Sequence, residues 1–104
     1  MSPLSAPAAD VNLAVTSYFS VQARAAPGVM PRVLELFAKR GLVPTVWHSA
    51  IGDADRTDLT IDIEMVGLDR EVTRYIAACL RQIADVETVL TAEGEVAAVD
   101  PRPG

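Results

Sequence analysis

A chain of 104 residues, half of them apolar and 22% charged, has the size and composition of one globular domain with its own core. A net charge of -5, with nine basic residues scattered along the chain, argues against a nucleic-acid partner, and no apolar run reaches the roughly 20 residues that cross a bilayer. The single cysteine, Cys79, rules out an internal disulfide and a cysteine-built metal cage, and it fits a reducing, cytoplasmic setting.

Residues 1–16 are expected to be a tail with a strand extension at its end. Its opening stretch, with Pro3 and Pro7 among Ala and Ser, lacks the basic start and unbroken apolar run of a secretory signal. From Val11 to Arg24 the composition is β-prone, and Phe19, Val21 and Ala23 alternate with Tyr18, Ser20, Gln22 and Arg24, which predicts a first strand. Pro27 and Gly28 interrupt it. Met30, Val33, Leu34 and Phe37 then recur at helical spacing, with Pro31 in the first turn, Lys39 and Arg40 near the negative end and Gly41 suited to the cap.

Val43 to Ile51 predicts a second strand, which Pro44 makes ragged at its start or places at the sheet edge. After the turn residues Gly52 to Asp55, strict alternation of Leu59, Ile61, Ile63 and Met65 with Thr60, Asp62 and Glu64 predicts a third strand, paired with the second as a hairpin. Gly67 to Asp69 open a second helix, with an apolar stripe of Val72, Tyr75, Ile76, Cys79, Leu80 and Ile83 and an end near Asp85. Val86 to Thr91 reads as a short fourth strand, and residues 94–104 as a tail whose end, Asp100 to Gly104, is Pro-rich.

The order βαββαβ predicts an α+β, ferredoxin-like sandwich, with two helices on one face of a four-stranded antiparallel sheet. On the other face Thr60, Asp62 and Glu64 are too polar for a second covering layer, while apolar residues of other strands suit a pairing surface.

Groups that could carry chemistry are few. His48, the only histidine, follows Trp47 in a strand, and catalysis there needs an acid or nucleophile that the sequence does not identify. Cys79, on the apolar stripe, reads as a small core residue. Asp53, Asp55 and Asp58 have the oxygens for a hard cation, but a hairpin turn favours such residues for backbone reasons. Neither a metal nor a cofactor is expected. The segment Ala25-Ala26-Pro27-Gly28-Val29 is more informative, because glycine ahead of a helix lets a ligand approach N–H groups at the positive end of the dipole. A carboxylate suits that position; an ordinary strand-to-helix connection is the alternative.

Pro27-Gly28-Val29-Met30, Arg32-Val33 and Leu36-Phe37-Ala38-Lys39-Arg40-Gly41 resemble the Pro-Gly-Val-Leu-x-Arg-Val and Leu-Phe-x-x-Arg-Gly motifs of ACT domains, most of all those of the small regulatory subunit of acetolactate synthase. Leu59-Thr60-Ile61 and the run from Ile76 to Val86 continue the likeness, which covers residues 17–93. The resemblance implies a non-catalytic homodimer with sheets joined side by side. Ala25, Ala26, Pro27, Gly28, Val29 and Met30 would line a site for an amino-acid effector at the dimer interface. It also implies a partner, a thiamine-diphosphate-dependent large subunit, this chain holding no thiamine itself. The chain departs from the family pattern at Ala25, where asparagine is common, and at Val43-Pro44, where many members read Asn-Ile. Ala25 motivates a second reading, an activating subunit that senses nothing. A third is a small enzyme using His48.

Overall fold

The computed structural model describes residues 15–52 and 55–95; the expected start of the first strand from Val11, Asp53 of the hairpin turn and most of both tails lie outside them. The elements are β1 (Val15–Arg24), α1 (Val29–Ala38), β2 (Val46–Ile51), β3 (Asp58–Val66), α2 (Arg70–Arg81) and β4 (Val86–Glu95). They form an antiparallel sheet of order β2-β3-β1-β4 with both helices on one face, the ferredoxin-like sandwich that the periodicities predict.

The two central strands supply the floor of the core. Phe19, Val21 and Ala23 lie opposite Ile63, Ile61 and Leu59, and all six side chains are buried under the helices. Burial of each large apolar side chain contributes about 1.5–3 kcal/mol. Phe19 also meets Phe37 of α1 edge to face, with ring centroids 5.8 Å apart and planes at 80°.

Both helices sit rotated from their expected stripes. α1 buries Val29, Val33 and Phe37, leaving Met30 and Leu34 exposed. The sequence offers apolar doublets at 29–30 and 33–34, and only one member of each can face the sheet when successive residues are about 100° apart. α2 buries Thr73, Ile76, Ala77 and Leu80, so Tyr75 faces solvent and Cys79 is half-buried at the border of the core. α2 stops at Arg81 and not near Asp85, because the N–H groups of Gln82 and Ile83 turn back to the Cys79 and Leu80 carbonyls.

Cap chemistry fixes the helix ends. Asp69 Oδ1 accepts from the Val72 N–H at 2.9 Å, with Glu71 in the first turn of α2 and Arg81 in the last. At the end of α1, the Gly41 N–H bonds the Ala38 carbonyl and the Leu42 N–H bonds the Phe37 carbonyl, both at 2.9 Å. This paired arrangement needs a left-handed residue at position 41, where glycine takes φ 70° without a Cβ clash.

The edges differ in length. β2 begins at Val46, three residues later than the β-prone composition suggests, and Pro44 precedes it as an edge strand permits. β4 runs to Glu95, beyond the expected stop at Thr91, since β1 continues beside it to the pair Val15 and Glu95.

In the β2–β3 hairpin, Asp55 Oδ1 accepts from the Thr57 hydroxyl at 2.9 Å and from its N–H at 3.1 Å. The hydroxyl bond foremost, and the N–H bond after it, hold the Asp55 carboxyl below its ordinary value of 3.8. The stabilisation is therefore complete above the ordinary value and is lost as pH falls through the lowered one. Asp55→Ala is expected to lower the urea midpoint at neutral pH, by a difference that shrinks towards zero with acidification below 3.8. Midpoints measured across a pH series check this; a difference that does not change with pH would remove the carboxylate from the account.

Candidate functional site

The segment joining β1 to α1 is pinned by backbone bonds before any ligand is considered. The Arg24 N–H bonds the Asp85 carbonyl at 2.9 Å and the Ala25 N–H bonds the Thr57 carbonyl at 2.8 Å. Two further short bonds, from the Ala26 N–H to the Arg24 carbonyl and from the Val29 N–H to the Ala26 carbonyl, close the turn. The β2–β3 hairpin and the α2–β4 turn thus hold the entrance of α1 at one end of the sheet.

The six residues singled out from the sequence divide by role in this geometry. Ala25 and Ala26 are half-buried against the core, Val29 is fully buried, and Pro27 and Met30 reach solvent. Val29 therefore clamps the helix to the sheet, and its N–H is already used. Gly28 takes an ordinary helical conformation, φ -83° and ψ -5°, so the backbone does not require glycine there. Its contribution is space: a Cβ on Gly28 would lie 3.5 Å from Nη1 and 3.7 Å from Cζ of Arg32.

Among the described residues the N–H groups of Gly28 and Met30 have no hydrogen-bond partner, Arg32 has no ion-pair partner, and the first turn of α1 has no acidic residue. Pro31 has no N–H to offer. Two free donors at the positive end of a helix dipole, with a guanidinium folded over Gly28, form an anchor for a small anion, and a carboxylate matches both donor types. Arg32 is the participant that the sequence reading left out of the site. Its place four residues after Gly28, one helical turn on, was the available signal.

His48 and Asp62 are cross-strand partners on the face of the sheet away from the helices, so the hairpin register supplies the acid that the sequence did not identify. Among the described residues His48 makes no hydrogen bond, and no group of three or more His, Cys, Asp or Glu side chains is placed to hold a metal ion. Arg40, at the far end of α1, donates to the Leu36 carbonyl at 3.0 Å and lies 4.7 Å from the centre of the Tyr75 ring, closing the helix pair at that end. No helix among the described residues is long and apolar enough to cross a membrane.

No curated protein matches the chain in sequence. Among solved structures, the ACT domain from GTP pyrophosphokinase of Chlorobium tepidum superposes with a TM-score of 0.63 at 12% identity, covering 74% of this chain and 96% of that one. The C-terminal domain of the MgtC protein from Mycobacterium tuberculosis gives 0.59 at 18% identity, over 85% and 96% of the two chains. The regulatory subunit of aspartate kinase from Thermus thermophilus gives 0.57 at 11% identity, over 79% of this chain and 51% of that one. At these identities the likeness is one of fold. A family profile described as an ACT-like domain matches residues 10–97, most of the sequence and every described element. The chain belongs to the ACT-like domain family.

Proposed function

We propose that this chain is a non-catalytic regulatory domain that binds an amino acid by its carboxylate at the entrance of α1 and modulates a partner enzyme. The observation that carries the reading is the anchor of Gly28 and Met30 N–H groups beside Arg32. The anchor lies on the surface and supplies one end of a site, and a second copy of the chain is the proposed source of the rest. The motif likeness around Pro27-Gly28 favours a catalytic large subunit of acetolactate synthase as the partner, and a branched-chain amino acid as the effector. β4, the long open edge of the sheet, suits the side-by-side dimer.

Calorimetry against the individual amino acids tests this reading. A saturable heat is expected from at least one of them and none from its amide, which lacks the carboxylate. Arg32→Ala is expected to weaken binding about fivefold, a modest factor because the guanidinium is exposed. A folded dimer that gives no heat with any amino acid overturns the sensing function.

A second reading, an activating subunit without an effector, is favoured by Ala25, whose methyl group offers no hydrogen bond and whose N–H is taken by Thr57. It predicts a gain in synthase activity on mixing with a large subunit, independent of added amino acid. A chain that purifies alone and gives no gain overturns it.

A further inference from the structure

The face of the sheet away from the helices bears no covering element among the described residues. Its centre is a hollow of about 380 Å³ with Tyr18, Val46 and Leu90 among its apolar walls and Asp62 and Glu64 in the β3 row. Leu90 is 66% exposed and Val46 43%, on the two edge strands that flank β1 and β3, and together they leave apolar surface bare on both sides of the central strands. Glu64 is cross-strand partner to both Tyr18 and Val46, and Asp62, the next residue of the same row, to Ser20 and His48, so Glu64 sits between apolar side chains and Asp62 borders them. Among the described residues neither carboxylate has an ion-pair partner. Among the described residues the only arginine or lysine on this face, Arg24, stands at the end of β1 opposite Asp58.

We propose that this face docks a segment of a partner protein that carries lysine or arginine between apolar side chains. The cations reach Asp62 and Glu64 while the apolar side chains cover Tyr18, Val46 and Leu90. Charge complementarity selects this occupant. A second copy stacked face to face would confront the same two carboxylates with their own kind, and its Arg24, at the end of β1, already stands opposite Asp58. A small organic cation is a poorer match, because a hollow open across four strands leaves much of a ligand wet, whereas small-molecule sites bury roughly 70–90% of theirs. The proposal is independent of the effector site, which lies at the end of the sheet and on the helix side.

An NMR titration of the full chain tests it, using a synthetic amphipathic Leu/Lys peptide and its Leu/Glu counterpart as probes. Saturable shifts are expected at Tyr18, His48 and Leu90 with the lysine peptide and none with the glutamate peptide. Asp62→Asn with Glu64→Gln is expected to weaken the lysine peptide about fivefold. Glu35→Gln with Glu71→Gln, which removes the same charge from the helix layer, is expected to leave affinity within about twofold. Leu90→Ser is expected to weaken it as well. Equal effects of the two charge pairs would reduce the binding to net charge and overturn the proposal. A self-associated chain that dissociates with Leu90→Ser and tightens with Asp62→Asn and Glu64→Gln would assign the face to a second copy and overturn it too. Neither result touches the calorimetry of amino acids at the entrance of α1.

Discussion

Phe37→Ala is expected to cost about 3–5 kcal/mol, a large part of the roughly 5–15 kcal/mol that holds a domain folded. Phe37 is fully buried in the last turn of α1, its ring meets Phe19 edge to face, and its carbonyl accepts the Leu42 N–H that terminates the helix. Truncation therefore leaves a cavity at the point where α1 is fastened to the sheet, and the backbone cap restrains the helix end from collapsing into it. Phe37→Leu keeps most of the volume and is expected to cost about 1–1.5 kcal/mol. Leu34→Ala, three residues earlier, is the informative contrast: Leu34 is 46% exposed and its loss is expected to cost under about 1 kcal/mol. Urea denaturation of the three variants measures all of this. Equal costs at positions 34 and 37 would mean that α1 sits on the sheet by a different face.

That contrast marks where the sequence was legible and where it was not. β3 could be read because Leu59, Ile61, Ile63 and Met65 alternate with polar residues, and a period of two allows only one assignment of faces. α1 could be located but not oriented, since the doublets Val29-Met30 and Val33-Leu34 satisfy two helical stripes about 100° apart. Contact with Phe19 and its neighbours chooses between them, and that contact is long-range. The sequence predicts β4 too short for a related reason. Ala92 to Glu95 have no strand composition of their own and are extended because β1 pairs with them.

The candidate site divides in the same way. The Pro27-Gly28 turn was visible as a break before a helix, whereas Arg32 was not, because spacing places it one turn above Gly28 without saying which way a long side chain folds. Asp62 as the neighbour of His48 follows only from the hairpin register. The two surfaces that emerge are separate in position and in sign. Free N–H groups and a guanidinium gather at the entrance of α1, and carboxylates gather on the bare face of the sheet. The two proposed sites, one for an anion and one for a basic partner, would together supply the parts from which a regulatory coupling is built.

The buried pair Ser17 and Thr73 gives the second large expected effect, and its direction follows from counting protons. The Thr73 hydroxyl has one hydrogen and donates it to the Asp69 carbonyl at 3.2 Å, so its lone pairs accept the hydrogen of Ser17, 2.9 Å away. Both side chains are no more than 3% exposed. Thr73→Val preserves shape but leaves the Ser17 hydroxyl in the core without its acceptor, at an expected cost of about 2–3 kcal/mol. Ser17→Ala leaves Thr73 still bonded to Asp69 and is expected to cost only about 1 kcal/mol. With both hydroxyls gone the orphaned donor is gone too, so the double variant is expected to be more stable than the sum of the single losses by about 1 kcal/mol. Denaturation of the three variants closes the cycle. Strictly additive losses would show that the two hydroxyls do not share a hydrogen, and that α2 is held to β1 by its apolar contacts alone.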